Sequence, residues 1–367
     1  MQGVTEKFLT ELRIPDINGD RCVHAHIETA SCKACVDACP ENAWILDDES
    51  LGLNTSACDG CGLCVPACTE GAITQTQDCT IREENKNKVL LLGCEYTGLD
   101  ESNCKCIHAV SYNDLLKLYR DGLRQVYVAV GECDQCSRGK NEHLYKRLGH
   151  INRMLRHHQL PPMHYNELRA ENWQQLWKTP EKAAPGPEMS RRMFFRSALK
   201  QTVDTVLHQS TFDNTGEFTP AGKIIPAHPP NDEPFYPAIP RINPAKCNGC
   251  ESCIRACPHN ALMFKKEENK SSYQIDASAC TACNICIDIC DQDAIHVVHW
   301  NSQKYSSTFP MISLSTKKCS SCGIVFNLPE QYQKTNNSGD NNINSSNSLC
   351  TICSKINHQR HLFQVLE

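Results

Sequence analysis

Apolar residues are concentrated in two short runs near the middle of the chain. NKVLLLGCE (87–95) and RQVYVAVGEC (124–133) have the length of single strands, and their continuous apolar character predicts buried strands. SYNDLLKLYRDG (111–122) lies between them and repeats its apolar residues with a helical period. A second helix is predicted over NEHLYKRLGHINRMLRHH (141–158). The pattern therefore predicts a small α/β unit over about residues 86–177.

The segments that follow show weaker periodicity. Residues 178–237 are rich in Pro, Gly and polar side chains, which predicts a linker with one helix near 190–208. The Asn/Ser tract at 333–348 has nothing to bury and predicts a flexible loop or insertion.

The longest apolar run, Val89–Gly93, is far shorter than the roughly 20 residues of a spanning helix. The first residues lack the apolar core of a cleaved signal, so we expect a cytoplasmic protein without a membrane span.

Cysteine changes this picture, because the 367-residue chain contains 26 of them. A chain of this length can bury hydrophobic cores of its own and does not need a disulfide framework. The run Cys-x2-Cys-x2-Cys-x3-Cys recurs as an internal repeat, and its copies form two modules at about 15–80 and 238–300. The three complete copies contain Cys58, Cys61, Cys64 and Cys68, then Cys247, Cys250, Cys253 and Cys257, and finally Cys280, Cys283, Cys286 and Cys290.

A fourth copy of the run is incomplete, because Thr29 stands where its first cysteine is expected. This copy supplies Cys32, Cys35 and Cys39, and Cys22 lies seven residues upstream of Thr29. A longer loop can still return a thiolate to the same place, so we predict that Cys22 is the missing ligand. The alternatives are a three-iron cluster or a ligand other than cysteine.

The spacing within each run indicates the metal chemistry. Three cysteines at steps of three residues aim three sulfurs at one point, as a cubane [4Fe–4S] cluster requires, and the fourth thiolate comes from elsewhere in the chain. Zinc is the alternative, because Cys-x2-Cys also begins zinc ribbons. Zinc sites use two separated pairs, however, and tetrahedral zinc does not account for a third cysteine at the same step. We therefore predict four [4Fe–4S] clusters.

Both modules resemble the bacterial two-[4Fe–4S] ferredoxin family, over about a third of the chain. Beyond the cysteines, the likeness includes a proline after the run, at Pro40 and Pro258. It also includes the small-apolar patterns GAI (71–73), NAL (260–262) and DAI (293–295). The resemblance implies that the last cysteine of each run binds the cluster of the other run.

The resemblance also implies the ligand sets. In the C-terminal module one cluster takes Cys247, Cys250, Cys253 and Cys290, and the other takes Cys280, Cys283, Cys286 and Cys257. In the N-terminal module one cluster takes Cys58, Cys61, Cys64 and Cys39, and the other takes Cys32, Cys35 and Cys68 with Cys22 as the fourth ligand. Cysteine would then saturate the irons, which favours electron transfer over substrate bound to iron.

Further cysteines lie at the strand and helix ends of the predicted α/β unit, where parallel strands share one edge. They are Cys94, Cys104, Cys106, Cys133 and Cys136. The stretch 104–136, with the helix after it, is similar to the [2Fe–2S] delta subunit of methyl-viologen-reducing hydrogenase. That resemblance implies a fifth centre, one [2Fe–2S] cluster, on Cys94, Cys104 or Cys106, Cys133 and Cys136. A cluster-free docking domain and a zinc site at the same cysteines are the alternatives.

The tail at about 315–357 contains two Cys-x2-Cys pairs across a gap of 27 residues. The pairs are Cys319 with Cys322 and Cys350 with Cys353. Two such knuckles resemble a zinc ribbon, which implies one structural zinc held by four thiolates. A rubredoxin-like iron site is the alternative. Cys79 has no spaced partner and is expected to be an ordinary buried thiol.

The expected fold class is α+β: two ferredoxin-like dicluster modules flank a small α/β unit, and a zinc-ribbon-like tail follows. Charge is segregated along this order. Residues 1–80 carry 13 acidic and 4 basic side chains, whereas 81–210 carry 15 and 20. An acidic module beside a basic segment favours docking to redox partner proteins, with peripheral association with a larger complex, and is a poor profile for nucleic-acid binding.

The favoured function is that of an electron carrier or electron-transfer subunit, which relays single electrons between redox partner proteins. The first alternative is the iron–sulfur subunit of a catalytic oxidoreductase complex of the hydrogenase, dehydrogenase or heterodisulfide reductase kind. No dinucleotide-binding fingerprint or P-loop occurs in the sequence to support it. The second alternative is a zinc-bearing adaptor whose clusters are only structural.

Overall fold

The structure is a computed structural model of the chain. It describes residues 13–47, 51–75, 77–84, 87–98, 104–178, 210–212, 218–224, 235–267, 270–299, 312–332 and 349–354. The linker helix predicted near 190–208 and the Asn/Ser tract lie outside these residues. Within them, no helix combines the length and the apolar character that crossing a bilayer requires. The chain divides into a first unit, Met1–Cys22 with Lys33–Ala227, and a second unit, Val23–Cys32 with His228–Glu367.

The described elements are short, as expected for a chain organised around metal sites. The strands are β1 (Asp16–Ile17), β2 (Trp44–Leu46), β3 (Leu51–Leu53), β4 (Ile73–Thr74), β5 (Gln77–Glu84), β6 (Asn87–Gly93), β7 (Leu123–Ala129), β8 (His164–Glu167), β9 (Ser210–Phe212), β10 (Ala238–Ile242), β11 (Leu262–Lys266), β12 (Ser271–Ile275), β13 (Ile295–His299), β14 (Ile312–Lys318) and β15 (Val325–Pro329). The α-helices are α1 (Val23–His26), α2 (Ala34–Ala38), α3 (Cys64–Ala67), α4 (Tyr112–Arg120), α5 (Leu144–His157), α6 (Ala170–Lys178), α7 (Ala221–Ile224), α8 (Ser252–Arg255) and α9 (Ile285–Asp288).

The N-terminal cysteine runs lie among two small antiparallel strand pairs. β1 pairs with β4, with Ile17 opposite Ile73, and β2 pairs with β3, with Trp44 opposite Leu53. Trp44 and Ile73 pack with Val65 of α3 in one hydrophobic cluster. The two strand pairs thus close around the short helices that follow the cysteines.

The C-terminal runs repeat this arrangement in the second unit. β10 pairs antiparallel with β13 and β11 with β12, in the same relation to the cysteine runs as in the N-terminal module. The sheet then continues beyond the module, in the order β11-β12-β14-β15. The expectation of a mixed helix and strand fold with two dicluster modules is confirmed at this level.

The α/β unit predicted from the apolar runs forms in the first unit around a sheet with the order β8-β7-β6-β5-β9. β6, β7 and β8 are parallel, and α4 connects β6 to β7. A capping box fixes the start of α4, since Ser111 Oγ accepts from the Asp114 amide at 3.2 Å and Asp114 Oδ2 accepts from the Ser111 amide at 3.1 Å. The strands predicted from the two apolar runs are confirmed, and their carboxyl ends lie next to each other, at Gly93 and Ala129.

The structure also places one segment of the predicted N-terminal module and the isolated Cys79. The segment Val23–Cys32 belongs to the second unit, where Ser31 Oγ donates to Asp288 Oδ1 of α9 at 2.7 Å and the Ser31 amide donates to Oδ2 at 2.9 Å. Cys79 lies on β5 with no exposed surface, which confirms that it is a buried thiol.

Candidate metal centres

The first C-terminal run brings its three leading cysteines to the last cysteine of the second run. Burial raises the pKa of the Cys253 thiol to about 12, and neighbouring sulfurs add to the rise. These neighbours are Cys247, Cys250 and Cys290. Burial also raises the pKa of Cys247 to about 11, with Cys250 and Cys290 again as neighbours. Four thiols therefore converge in the combination that crossed ligation requires.

The second C-terminal run mirrors this arrangement. Burial raises the pKa of the Cys286 thiol, and the nearby sulfurs that add to the rise include one from the first run. Its neighbours are Cys283, Cys280, Cys253 and Cys257. Cys253, from the first run, also raises the pKa of Cys286. The two groups of four cysteines, here called quartets, therefore adjoin within one module.

In the N-terminal module three of the four predicted ligands, Cys58, Cys64 and Cys39, lie near one another, whereas Cys61 packs with Leu63 and Cys106. Burial raises the pKa of Cys64 to about 12, with contributions from Cys58, Cys35 and Cys39. Cys58 in turn lies near Cys39, the last cysteine of the incomplete run. Cys35 and Cys68, assigned to the other N-terminal cluster, pack in the same hydrophobic cluster as Cys64.

A turn that follows each run explains the small-apolar patterns in the sequence. The residue three positions after the last cysteine of each run has a positive φ, and the next residue is an alanine whose amide points back at the cysteine. Amide-to-sulfur distances are 3.3 Å for Ala43 to Cys39, 3.2 Å for Ala261 to Cys257 and 3.4 Å for Ala294 to Cys290. The positive φ angles are 50° at Asn42, 60° at Gly71, 54° at Asn260 and 45° at Asp293. Sequence reasoning missed the copy at Asn42 and Ala43, which the turn Asn-Ala after Cys39 would have revealed.

Two features of the second unit show whether its cysteine quartets fit iron–sulfur clusters. Buried thiols that crowd together cannot ionise without a compensating cation, and cluster iron supplies one. Tyr273, 2% exposed, packs in the hydrophobic cluster that contains Cys253, and no described group lies within hydrogen-bond distance of its hydroxyl. A buried donor without an acceptor is costly, and cluster sulfur would provide the acceptor. The residues therefore fit a [4Fe–4S] cluster.

The position that lacks a cysteine lies on the surface. Thr29 is exposed, and His24 Nε2 lies 2.7 Å from the carbonyl oxygen of Cys32 within the same segment. Cys22 is half-buried in the first unit, where its amide donates to the Gly19 carbonyl at 3.0 Å. The role of Cys22 as the fourth ligand stays a prediction.

Four of the five middle cysteines gather at the carboxyl edge of the parallel strands. Burial raises the pKa of Cys106 to about 12, and the thiols of Cys94 and Cys133 contribute to the rise. Cys136 lies near both Cys94 and Cys133. Cys104 differs, because it is not among the main neighbours that raise the pKa of Cys94, Cys106 or Cys133, and its own thiol donates to the Gly93 carbonyl at 3.2 Å. Of the two alternatives left by the sequence, Cys106 is thus the one whose sulfur faces the other cysteines.

A cavity of about 420 Å³ adjoins this group at the ends of β7 and β8. Tyr145 on its wall is 49% exposed, so the cavity reaches the protein surface. Its lining includes Cys133, His108, His143, Tyr145, Tyr165 and Glu167. The middle cysteines therefore have an approach from solvent on the Cys133 side, at the sheet edge where open α/β sheets bind their ligands.

The four tail cysteines are more compact than the other groups. The sulfurs of Cys319, Cys322, Cys350 and Cys353 all lie within 4.8 Å of one another, and within the described residues they form the group that a single ion could bridge. The Cys322 and Cys350 sulfurs are 3.8 Å apart. A tetrahedron with zinc–sulfur bonds of about 2.3 Å has edges of about 3.8 Å. Backbone amides of the knuckles lower the pKa of Cys319 to about 6, which favours the thiolate form that metals bind.

Comparison with known proteins agrees with the two cysteine modules. Residues 29–73 and 246–294 each match a family profile described as a 4Fe-4S dicluster domain. An uncharacterized ferredoxin of Methanocaldococcus jannaschii is 33% identical over 97 residues, which are 26% of this chain and 52% of that protein. The chain thus spans about half the length of the curated relative that it matches.

These matches and the strand pairing define the class of protein. The chain carries two ferredoxin-type 4Fe–4S dicluster domains, one in each half of the sequence. Domains of this type hold [4Fe–4S] clusters and transfer electrons.

Proposed function

We propose that this protein relays single electrons between redox partner proteins through about four [4Fe–4S] clusters. The observation that carries the proposal is the convergence of cysteines from two different runs, as where Cys290 packs against the hydrophobic cluster that contains Cys253. Crossed quartets occur in two-cluster ferredoxins, where they tie the two cluster sites into one fold. Four thiolates saturate a cubane and leave no iron position for substrate, so the clusters suit a relay.

The middle cysteines extend this proposal to a fifth centre, a [2Fe–2S] cluster on Cys94, Cys106, Cys133 and Cys136. Its support is the convergence of the four thiols and the resemblance noted in the sequence. The cavity beside Cys133 would bring a partner close to this centre. The basic charge of residues 81–210 supports docking of an acidic partner surface there.

The tail is proposed to hold one structural zinc on its four cysteines. The 3.8 Å separation of Cys322 and Cys350 supports one tetrahedral ion held by thiolates, as structural zinc is. Iron in a rubredoxin-like site is the alternative, and metal analysis separates the two. We also propose that the protein acts in the cytoplasm, since cysteine runs that bind metal need the reduced thiols that a reducing compartment preserves.

Metal analysis of the protein purified without oxygen tests the proposal. Four cubanes and one zinc predict about 16 irons and one zinc per chain, and a loaded middle centre raises the iron to about 18. Reduction should produce the paramagnetic signals of [4Fe–4S] clusters. A chain that contains mostly zinc, or iron that no reductant can reduce, would contradict the electron-transfer function.

A second candidate is the iron–sulfur subunit of a catalytic oxidoreductase complex. The cavity at the sheet edge beside Cys133 favours it, because a partner enzyme could deliver electrons there. Anaerobic capture of partners with the metal-loaded protein distinguishes the two. A stable complex with a dehydrogenase or hydrogenase favours the subunit, whereas weak, salt-sensitive association favours a mobile carrier.

A further inference from the structure

The N-terminal quartet and the middle cysteines meet at a buried contact within the first unit. Cys61, Leu63 and Cys106 form one hydrophobic cluster, and they are 9%, 1% and 5% exposed. Cys61 belongs to the quartet with Cys58, and Cys106 belongs to the middle group. No part of the sequence pattern links Cys61 with Cys106, which lie 45 residues apart.

Arg138 lies between the same two groups. Its guanidinium forms ion pairs with Asp59 and with Glu95, and its side chain is only 5% exposed. It also donates to the Lys105 carbonyl at 3.0 Å. Each of these partners is next to a cysteine in sequence: Asp59 follows Cys58, Glu95 follows Cys94, and Lys105 precedes Cys106. Arg138 itself follows Cys136 by two residues.

Asp59 connects this charge directly to the N-terminal quartet. Its Oδ1 accepts from the Cys61 amide at 3.0 Å while its Oδ2 binds Arg138. Glu95 is held on its other side by Lys105, at 2.8 Å. The face of the guanidinium is covered by Tyr96, whose ring centroid lies 4.9 Å away. The cation is therefore fixed in position and largely shielded from water.

We propose that the contact between Cys61 and Cys106 is the junction at which the N-terminal cluster and the middle centre exchange electrons, and that Arg138 is the positioning residue that couples their reduction potentials. The inference rests on the proposed function, because it requires metal in both groups. One electron leaves one centre and enters the other, and no bond or proton is exchanged.

Electrostatics gives the expected effect of Arg138. A fixed positive charge favours the reduced state of a nearby centre, since reduction adds one negative charge. A positive charge beside two centres therefore raises both potentials. Screening is weak because the guanidinium is buried.

The experiment is a redox titration followed by electron paramagnetic resonance, on the metal-loaded full chain. We expect Arg138→Gln to lower the equilibrium constant for one-electron reduction at least tenfold, or 59 mV, at both the N-terminal cluster and the middle centre. Arg138→Lys should restore much of this loss. Arg255→Gln in the other module, where the side chain is 78% exposed, should shift no potential. Asp59→Asn should act with the opposite sign at the N-terminal cluster, because it removes a negative charge but keeps an acceptor for the Cys61 amide.

The outcomes separate this inference from the proposed function. A shift of the reduction potential at one centre alone, or at neither, overturns the role of Arg138 but does not contradict the proposed electron relay. About 16 irons with no [2Fe–2S] signal overturns both the junction and the fifth centre but leaves the four-cluster relay. Shifts of equal sign in Arg138→Gln and Asp59→Asn would indicate a general structural disturbance and would also overturn it.

A separate observation concerns Tyr273 on β12. Its hydroxyl is buried without a partner among the described residues, and its ring packs against Phe264 with centroids 6.3 Å apart. It shares a hydrophobic cluster with Cys253, and Cys247 packs against that cluster. We propose that the Tyr273 hydroxyl donates a hydrogen bond to a sulfur of the cluster held by Cys247, Cys250, Cys253 and Cys290. Such a bond stabilises the reduced cluster and raises its potential.

Tyr273→Phe tests this proposal, because it removes only the hydroxyl. We expect the equilibrium constant for reduction of one C-terminal cluster to fall about tenfold, with unchanged iron content. Tyr236→Phe, at a half-buried tyrosine of the same unit, should change no potential. A Tyr273→Phe variant with an unchanged potential overturns the proposal. In that case the buried hydroxyl is a true orphan, and the variant should be more stable than the parent.

Discussion

Two cluster-binding loops of the molecule have nearly the same local structure and different surroundings. In CDGCGLC, Asp59 Oδ1 accepts from the Cys61 amide at 3.0 Å; in CNGCESC, Asn248 Oδ1 accepts from the Cys250 amide at 3.2 Å. The next residue is a glycine with positive φ in both loops, 72° at Gly60 and 74° at Gly249. Either side chain satisfies the turn, so the charge of Asp59 is free to serve another purpose.

The surroundings show what that difference does. Asp59 pairs with Arg138, which lies beside the middle cysteines, whereas the neutral Asn248 forms no ion pair with a cation among the described residues. Gly249 is instead covered by Asn327 of β15, from the tail hairpin. One loop thus faces a second thiol site, and the other is closed by a β-hairpin. The comparison teaches that a repeated motif fixes the metal site, while a single charged or neutral residue decides its neighbours.

The largest expected effect comes from breaking the crossed ligation that both modules share. Cys257→Ser should remove the cluster built on Cys280, Cys283 and Cys286, with a loss of about four irons per chain. Iron analysis and electron paramagnetic resonance check this expectation. Cys79→Ala, at a buried cysteine outside the quartets, should keep the iron content of the parent. Loss of the nearer cluster, with the Cys280 cluster intact, would contradict crossed ligation.

The next largest effect comes from removing the charge of Arg138, which pairs with Asp59. Arg138→Met leaves Asp59 and Glu95 as poorly solvated carboxylates, 26% and 22% exposed, and should cost about 3–5 kcal/mol of local stability. Hydrogen exchange should show faster opening of β6 and β7, with β11 and β12 unchanged.

A matched control for Arg138 exists in the other module. Arg255 pairs with Glu251 at 3.2 Å, but the arginine side chain is 78% exposed. Arg255→Met should therefore cost less than about 0.5 kcal/mol. Equal effects of the two substitutions would mean that the Arg138 pairs are screened like surface pairs.

A smaller effect tests how each loop is covered. Gly249→Ala places a side chain at φ 74°, which costs roughly 1–2 kcal/mol, and its Cβ would overlap the Asn327 carbonyl oxygen. The backbone of β15 must then shift, so we expect faster bleaching of a C-terminal cluster in air. Gly60→Ala should be milder, because its Cβ would lie 2.9 Å from the Arg13 Cβ, a smaller overlap than the one with the Asn327 carbonyl oxygen. Faster bleaching in Gly60→Ala than in Gly249→Ala would show that the cover provided by β15 does not protect the cluster.

The smallest effect concerns the tail itself. Cys322→Ser should remove about one zinc per chain while the iron content stays unchanged. Because β14 and β15 flank the Cys319 knuckle, we expect a loss of about 1 kcal/mol in local stability and about fivefold faster opening of this hairpin. Hydrogen exchange over β15 measures it. Loss of about one iron, with no loss of zinc, would instead assign the tail to an iron site.

Local features of the fold were predictable from the sequence because their causes are local. Cysteine steps of three and the strands on either side of α4 depend on residues close together in the chain. The alanine turn after each run is equally local, and its pattern at GAI (71–73) is part of the family resemblance. Its physical reason, an amide donated back to the last cysteine, became clear only with the geometry.

By itself, the sequence determined that the chain has two dicluster modules, a middle α/β unit and a tail with paired cysteines. Only the tertiary structure decided that Cys106 rather than Cys104 faces the middle cysteines and that Cys61 packs against Cys106. Asp59 and Arg138 are 79 residues apart, and no spacing or periodicity connects them. Metal-binding loops are specified by short stretches of backbone, whereas contacts between loops depend on how whole elements pack, so they emerge only when the chain is folded.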